Sequence, residues 1–377
     1  MSCDVDIEKR LADFTLNVRF SIDRPHEILA LLGPSGCGKS MTLKCVAGVE
    51  RPDRGRIALD GHVLFDSSLG IDLPPQQRRV GYLFQSYALF PHMSVWQNVM
   101  AGAVGATRAE REYRARAQLS AMRLEGLEHR MPAELSGGQQ QRCAMARIPA
   151  NEPDLILLDE PFSALDGYLR WQLELELSDV LHDFPGGAVY VSHNRDEVYR
   201  LCDSVCVLSG GRSELKRGVR EMFTAPTSLA AALISGCKNV SHAEVRGASL
   251  VRCSDWGVSL RTSSACSQDV SYVGIRAHYF TAYRVSEQDV PAENVIACIV
   301  DRVIESTFSV IVMVKTPGGA AIRYECGKDR WKSLASPQRL LLYVAPENVM
   351  PLVDGVGGTA LTAGEECSTG TGSCTCP

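Results

Sequence analysis

The chain has 377 residues, 45% of them hydrophobic, with a formal net charge of −5 and 14 cysteines. That size and apolar content suffice for two or three domains, while the acidic balance argues against nucleic acid as a partner held through a broad basic surface. The first ten residues are charged where the apolar part of an export signal would stand, so the scattered cysteines read as reduced, cytosolic thiols.

No window approaches 18 uncharged apolar residues, and any membrane association is therefore expected to come through a partner. In chain order, the first buried strand is the apolar run Ile28-Leu-Ala-Leu-Leu32. It runs into Gly33-Pro-Ser-Gly-Cys-Gly-Lys-Ser40, which fits the phosphate-loop pattern and is followed by a helical stretch over 39–46. In such a loop the glycines Gly33, Gly36 and Gly38 let successive N–H groups, with those of Ser35 and Cys37 beyond Pro34, face phosphate oxygens. Lys39 then places a charge on the β- and γ-phosphates, Ser40 is a Mg²⁺ ligand, and Met41 continues the helix whose positive end faces the anion. The implied cofactors are ATP and Mg²⁺.

Residues 108–122 predict a solvated helix and 139–147 another. The apolar run Leu155-Ile-Leu-Leu predicts a buried strand that delivers Asp159 and Glu160 at its C-terminal end, the edge where open α/β sheets bind ligands. Asp159 suits a Mg²⁺ carboxylate, direct or through water, and Glu160 suits a general base for an attacking water. Two solvated acids capping a strand are the plainer alternative. Further strands are predicted over 188–191 and 205–208, and the alternation with helices predicts a mostly parallel sheet. Ahead of the helix at 139, Leu135-Ser-Gly-Gly-Gln139 offers the Ser136 hydroxyl and the free N–H groups of Gly137 and Gly138 to an anion, with an ordinary helix cap as the alternative.

Taken with the phosphate loop and the Asp159-Glu160 strand, Leu135-Ser-Gly-Gly-Gln139 resembles the signature of ABC ATPases. Gln85, within Val80-Gly-Tyr-Leu-Phe-Gln-Ser-Tyr-Ala-Leu-Phe-Pro-His92, resembles the family's loop glutamine that senses Mg²⁺ and water. Ser163-Ala-Leu-Asp166 resembles its dimer-contact loop, and His193 its switch histidine on the γ-phosphate. The resemblance implies an α/β P-loop ATPase with a helical subdomain, acting as a head-to-tail homodimer in which Ser136, Gly137, Gly138 and Gln139 of one copy close over the nucleotide of the other. It also implies an aromatic base-stacking residue upstream, for which Phe14 is the candidate; an ordinary strand phenylalanine is the alternative. One departure is Ile148-Pro149, where the family continues the helix. Proline there predicts an earlier or distorted helix end, costing ~3 kcal/mol if the helix were forced on.

Beyond about residue 235 helix signals fade. Short β-type runs follow around Val251 and over 258–260, 272–276, 295–304, 310–315, 322–324 and 340–344, which predict a small all-β barrel. The organisation expected is an ATPase domain over 1–235, a barrel over 236–350 and a flexible Gly/Thr/Ser-rich tail over 351–377 with Cys367, Cys374 and Cys376, for which metal binding by the Cys-x-Cys pair is the alternative. Gly236-Cys-Lys-Asn239 and Gly274-Ile-Arg-Ala-His-Tyr-Phe280 resemble the OB-like accessory (TOBE) domain of importer ATPases, most of all those for molybdate. The family form has Pro-Glu where Ala277-His278 stands here. That resemblance implies transmembrane permease partners, an extracytoplasmic substrate-binding protein reached through them, and a peripheral place on the cytoplasmic face of the cell membrane; sulfate or another cargo is the alternative. Lys238, Arg276 and His278 could meet a small anion or be solvated barrel residues. A non-transport ABC ATPase of the ribosome- or DNA-acting type fits less well, because the chain has one ATPase unit and no heptads.

Overall fold

A computed structural model describes residues 2–163, 167–335 and 337–355, without the side chains of residues 168 and 169. It begins with a hairpin, β1 (Cys3–Arg10) and β2 (Thr15–Ile22), whose alternation puts Val5, Ile7, Leu16 and Val18 inside and charges outside. Next come β3 (Ile28–Leu32), the phosphate loop and α1 (Lys39–Ala47), then β4 (Arg54–Leu59), β5 (His62–Asp66), β6 (Ile71–Asp72) and β7 (Val80–Leu83). Three helices follow, α2 (Val95–Gly102), α3 (Arg108–Ala121) and α4 (Gly137–Arg147), and then β8 (Leu155–Asp159), α5 (Gly167–Asp183), β9 (Gly187–Val191), α6 (Arg195–Leu201), β10 (Ser204–Ser209), β11 (Arg212–Ser213), β12 (Arg217–Gly218), α7 (Val219–Thr224) and α8 (Leu229–Ile234).

These strands make one 12-stranded sheet in the order β6-β5-β4-β1-β2-β11-β10-β3-β9-β8-β7, with β12 on β10. The run β10-β3-β9-β8-β7 is parallel, but β2, β1, β4, β5 and β6 pair antiparallel. The expectation of a mostly parallel sheet is thus corrected for β1, β2, β4, β5 and β6, while β3 between them belongs to the parallel part. Their alternating polar and apolar residues are the mark of strands with one wet face, and no helical crossover separates β1 from β2 or β4 from β6.

Helix α4 ends at Arg147, where Ile148 N–H donates back to Met145 O and Pro149 opens a 3₁₀ turn, Pro149–Asn151. Proline in a first-turn position forgoes no helical hydrogen bond, so the cost of forced continuation does not arise.

The later part holds β13 (Asn239–Gly247), β14 (Leu250–Cys253), β15 (Val258–Arg261), β16 (Val270–Ile275), β17 (Phe280–Arg284), β18 (Val295–Glu305), β19 (Ser309–Lys315), β20 (Ala321–Gly327), α9 (Lys328–Ser333), β21 (Arg339–Val344) and β22 (Met350–Val353). They form two five-stranded antiparallel sheets, β15-β14-β13-β16-β22 and β17-β21-β18-β19-β20. One core joins them, with Trp256 and Leu260 from the first side meeting Ile296, Val312 and Leu342 from the second. Strands β13, β17 and β22 and helix α9 were not expected, and β22, paired with β16, takes residues 351–353 out of the expected flexible tail. The tail cysteines Cys367, Cys374 and Cys376 lie outside the described residues. Among the described residues no helix is long and apolar enough to cross a membrane.

Candidate functional site

Strand order decides which side chains meet. Because β3, β9, β8 and β7 lie side by side and parallel, their C-terminal ends bring the phosphate loop, His193, the Asp159-Glu160 pair and Gln85 to one edge. The loop needs its glycines for different reasons. Gly36 and Gly38 have φ of +81° and +105°, open to glycine at no steric cost. At Gly33 a Cβ would meet Leu208 O at 2.4 Å and Cys37 Sγ at 2.6 Å. Lys39 is buried and folds back on the loop, its Nζ donating to Gly33 O at 2.8 Å and Pro34 O at 3.0 Å. The ammonium is thereby held at the mouth of a cradle of N–H groups.

Ser40 Oγ donates to Asp159 Oδ1 at 2.9 Å, and Tyr82 OH donates to Oδ2 at 3.0 Å. Burial holds the Asp159 carboxyl above its ordinary range even though both hydroxyls favour the charged form, which is the environment a cation would relieve. Burial, and then the neighbouring Asp159, likewise raise the Tyr82 phenol. Beside them, Glu160 Oε2 accepts from Gln85 Nε2 at 3.4 Å and lies 3.3 Å from His193 Nδ1. Glu160 has a φ of +47°, a conformation that costs a side-chain-bearing residue about 1 kcal/mol. Its N–H donates to Val191 O, tying the bend to β9. A cavity of about 520 Å³ opens over these groups, lined by Ser40, Lys44, Tyr82, Gln85, Asp159 and Ser163 among others. A hydroxyl, a carboxylate and an amide oxygen around one space are hard oxygen donors of the kind Mg²⁺ takes. The cradle and this donor set therefore fit a magnesium–triphosphate.

The Ser136-Gly137-Gly138-Gln139 element is built differently. Ser136 caps α4, accepting from Gln139 N–H, while the Gln139 side chain accepts from Ser136 N–H at 3.0 Å. Ser136 and Gly137 are exposed, and none of the four lines the cavity. Within one copy the two glycine elements are not brought together. Of the loop at 163–166, only Ser163 lies within the described residues.

Phe14 sits in the turn between β1 and β2, half-buried against Gly211. The side chain against the phosphate loop is Leu16, whose Cδ1 lies 2.5 Å from where a Cβ on Gly38 would stand. Tyr82 is a site residue that sequence reasoning missed; its only sequence signal is its place three residues before Gln85. Arg276, expected to be either an anion ligand or solvated, is buried and fully engaged: it donates to Ser235 O at 2.8 Å, to Ser235 Oγ and to Phe223 O. Lys238 and His278 are exposed.

The ABC transporter family profile matches residues 16–163. A Haemophilus influenzae protein named as an iron(III) import ATP-binding protein is 36% identical over 274 residues, 72% of this chain and 76% of that one. A Methylococcus capsulatus spermidine/putrescine import ATP-binding protein is 43% identical over 237 residues, 62% of this chain and 59% of its own. A Paramagnetospirillum magneticum molybdenum import ATP-binding protein is 42% identical over 209 residues, 55% and 57% respectively.

Proposed function

Because the chain belongs to the ABC transporter family, as an ATP-binding member of the import type, we propose that it is the ATP-hydrolysing subunit of an importer for a small oxyanion, with molybdate as cargo. The observation that carries the ATPase is the convergence of Ser40, Asp159 and Gln85 on one cavity beside the phosphate loop, with Glu160 bonded to Gln85 and His193 next to Glu160. In this reading the loop N–H groups and Lys39 bind the polyphosphate, and Ser40, Gln85 and Asp159 hold Mg²⁺. When bound, that ion neutralises charge on the β- and γ-phosphates. Glu160 accepts a proton from the attacking water, and His193 and Gln85 orient that water and the γ-phosphate. Phe14 remains the proposed base-stacking residue, supported only by its place upstream of the loop.

The exposed Ser136–Gln139 helix start supports a composite site in a homodimer, in which each copy's signature closes over its twin's nucleotide and supplies donors that one loop lacks. Residues 1–235 would be the motor and 236–353 the accessory TOBE-like domain, which runs three residues past the expected boundary because β22 pairs with β16. The motor would sit peripherally on the cytoplasmic face of the cell membrane, driving permease subunits fed by a substrate-binding protein.

Molybdate is supported by the wording of residues 236–239 and 274–280 and by the molybdenum-import relative. Iron(III) is the second reading, favoured by the relative matched over 72% of this chain. Cargo-stimulated ATPase, measured with the matched permease and binding protein, separates them: stimulation by iron(III) and not by molybdate or sulfate would sink the oxyanion reading. The motor itself is tested with Glu160→Gln, expected to lower ATP turnover about 10³-fold and to accumulate an ATP-bound dimer. A variant that stayed monomeric in saturating ATP would end the composite-site reading.

A further inference from the structure

Glu197 is a buried acid outside the magnesium and water chemistry of the site. It lies in the first turn of α6, is 3% exposed and does not line the cavity over Ser40 and Asp159. A carboxylate is costly to bury unless donors surround it. Here Ser192 Oγ and Tyr190 OH donate to Oε2 at 2.8 and 3.0 Å, and Asn194 Nδ2 donates to Oε1 at 3.0 Å. The Arg170 guanidinium, on α5, stands 3.9 Å from Oε1.

Three of these partners belong to one short stretch of chain. Ser192 and Asn194 are the two neighbours of His193, and Tyr190 is on β9, the strand that leads to it. Asn194 N–H also donates to Ser192 Oγ at 2.9 Å, which closes a small loop across His193. The start of α6 does not need the Glu197 carboxylate, because Asn194 Oδ1 already accepts from the Asp196 and Glu197 N–H groups. The carboxylate's bonds run to the turn instead. The imidazole of His193 is 58% exposed, 3.3 Å from Glu160 Oε2. Packing does little to fix such a ring, so the backbone that carries it decides where it points.

We propose that Glu197 is a positioning residue for ATP hydrolysis, clamping through Ser192 and Asn194 the turn that presents His193. This rests on His193 acting at the γ-phosphate. Glu197 affects turnover only through that ring, and a reacting group misplaced by about 1 Å costs on the order of 10²-fold in rate. The phosphate loop and Lys39 are untouched by it, so ATP binding should not change.

The experiment is a double-mutant cycle on the full chain, with kcat and KM for magnesium–ATP read from release of labelled phosphate, which keeps slow variants measurable. Glu197→Gln keeps the side-chain volume but leaves one oxygen where two accepted, and kcat should fall about 10²-fold with KM within about twofold. In a His193→Ala background the same substitution should change the residual kcat by less than about twofold, because the ring it aims is gone. Should Glu197→Gln not fold, Ser192→Ala takes its place in the cycle. It removes one donor and should lower kcat about fivefold, and Ser192→Thr, which keeps the hydroxyl, should restore it. A parent kcat in the substituted chain, a loss carried by KM, or losses that multiply with that of His193→Ala overturn the inference alone. Turnover left intact by His193→Ala overturns the role of His193, and this inference with it.

Discussion

The chain carries two glycine-bearing elements suited to phosphate, and they are equipped in opposite ways. The loop Gly33–Ser40 is supported from all sides: its lysine is buried on its own carbonyls, its serine is bonded to Asp159, and Leu16 closes over Gly38. The Ser136–Gln139 start of α4 has only its reciprocal cap, and Ser136 and Gly137 face solvent. A helix start of that kind presents N–H dipoles with nothing to receive them. The contrast teaches that one element is braced within its own chain and the other is left facing solvent. If so, damage to the two elements should separate binding from turnover.

The largest separation should come from the bare side. Ser136→Arg places a long cation where the partner's triphosphate would sit, so turnover should fall about 10³-fold while ATP affinity, read by equilibrium binding, stays as it was. An equal loss of affinity would mean that the element serves its own copy's nucleotide.

On the supported side, Arg78 is the hidden prop. It is buried, and its Nη1 donates to Cys45 O at 2.8 Å and Val46 O at 3.0 Å, the carbonyls that end α1, while Nε reaches Leu73 O at 2.7 Å and Nη2 reaches Asp72 at 2.9 Å. A cation there stabilises the helix that begins in the phosphate loop. Arg78→Met leaves those carbonyls unmet and should cost about 3 kcal/mol, visible as a lower denaturant midpoint together with weaker ATP binding. Loss of stability with affinity intact would confine the prop to folding.

Tyr82 sharpens the comparison further. Tyr82→Phe removes one donor from Asp159 without changing shape, and kcat/KM for magnesium–ATP should fall about tenfold. Unchanged kinetics would make the phenol a bystander.

What could be read in advance follows the same divide. The phosphate loop and Asp159-Glu160 were legible because their chemistry is written in contiguous residues next to one apolar strand. Tyr82 and Arg78 were not, since each acts on a partner 77 or 33 positions away, and only the strand order brings them there. The antiparallel edge was missed for a different reason. In Cys3-Asp-Val-Asp-Ile the alternation was read as charge against an export signal, when it was also the period of a half-wet strand. Ser136–Gln139 was legible as a motif, but nothing in its sequence says that it stands away from the cavity over Ser40 and Asp159.

The smallest effect lies at the other end of the signature helix. Pro149 stands where the family continues the helix and an early end was expected here: α4 has closed with Ile148 N–H on Met145 O, and Asn151 N–H goes to Ile148 O in the 3₁₀ turn. Glu152 then turns back with a φ of +46° and donates to Pro149 O. Proline's fixed φ suits the first position of that turn, so Pro149→Leu restores no lost bond and frees the unfolded chain instead. The expected change is within about 0.5 kcal/mol and, if anything, downward, checked by the melting temperature. A clear rise would mean that α4 wants to run on and that proline holds it short, and the cap at Ser136 would then belong to a strained helix instead of a relaxed one.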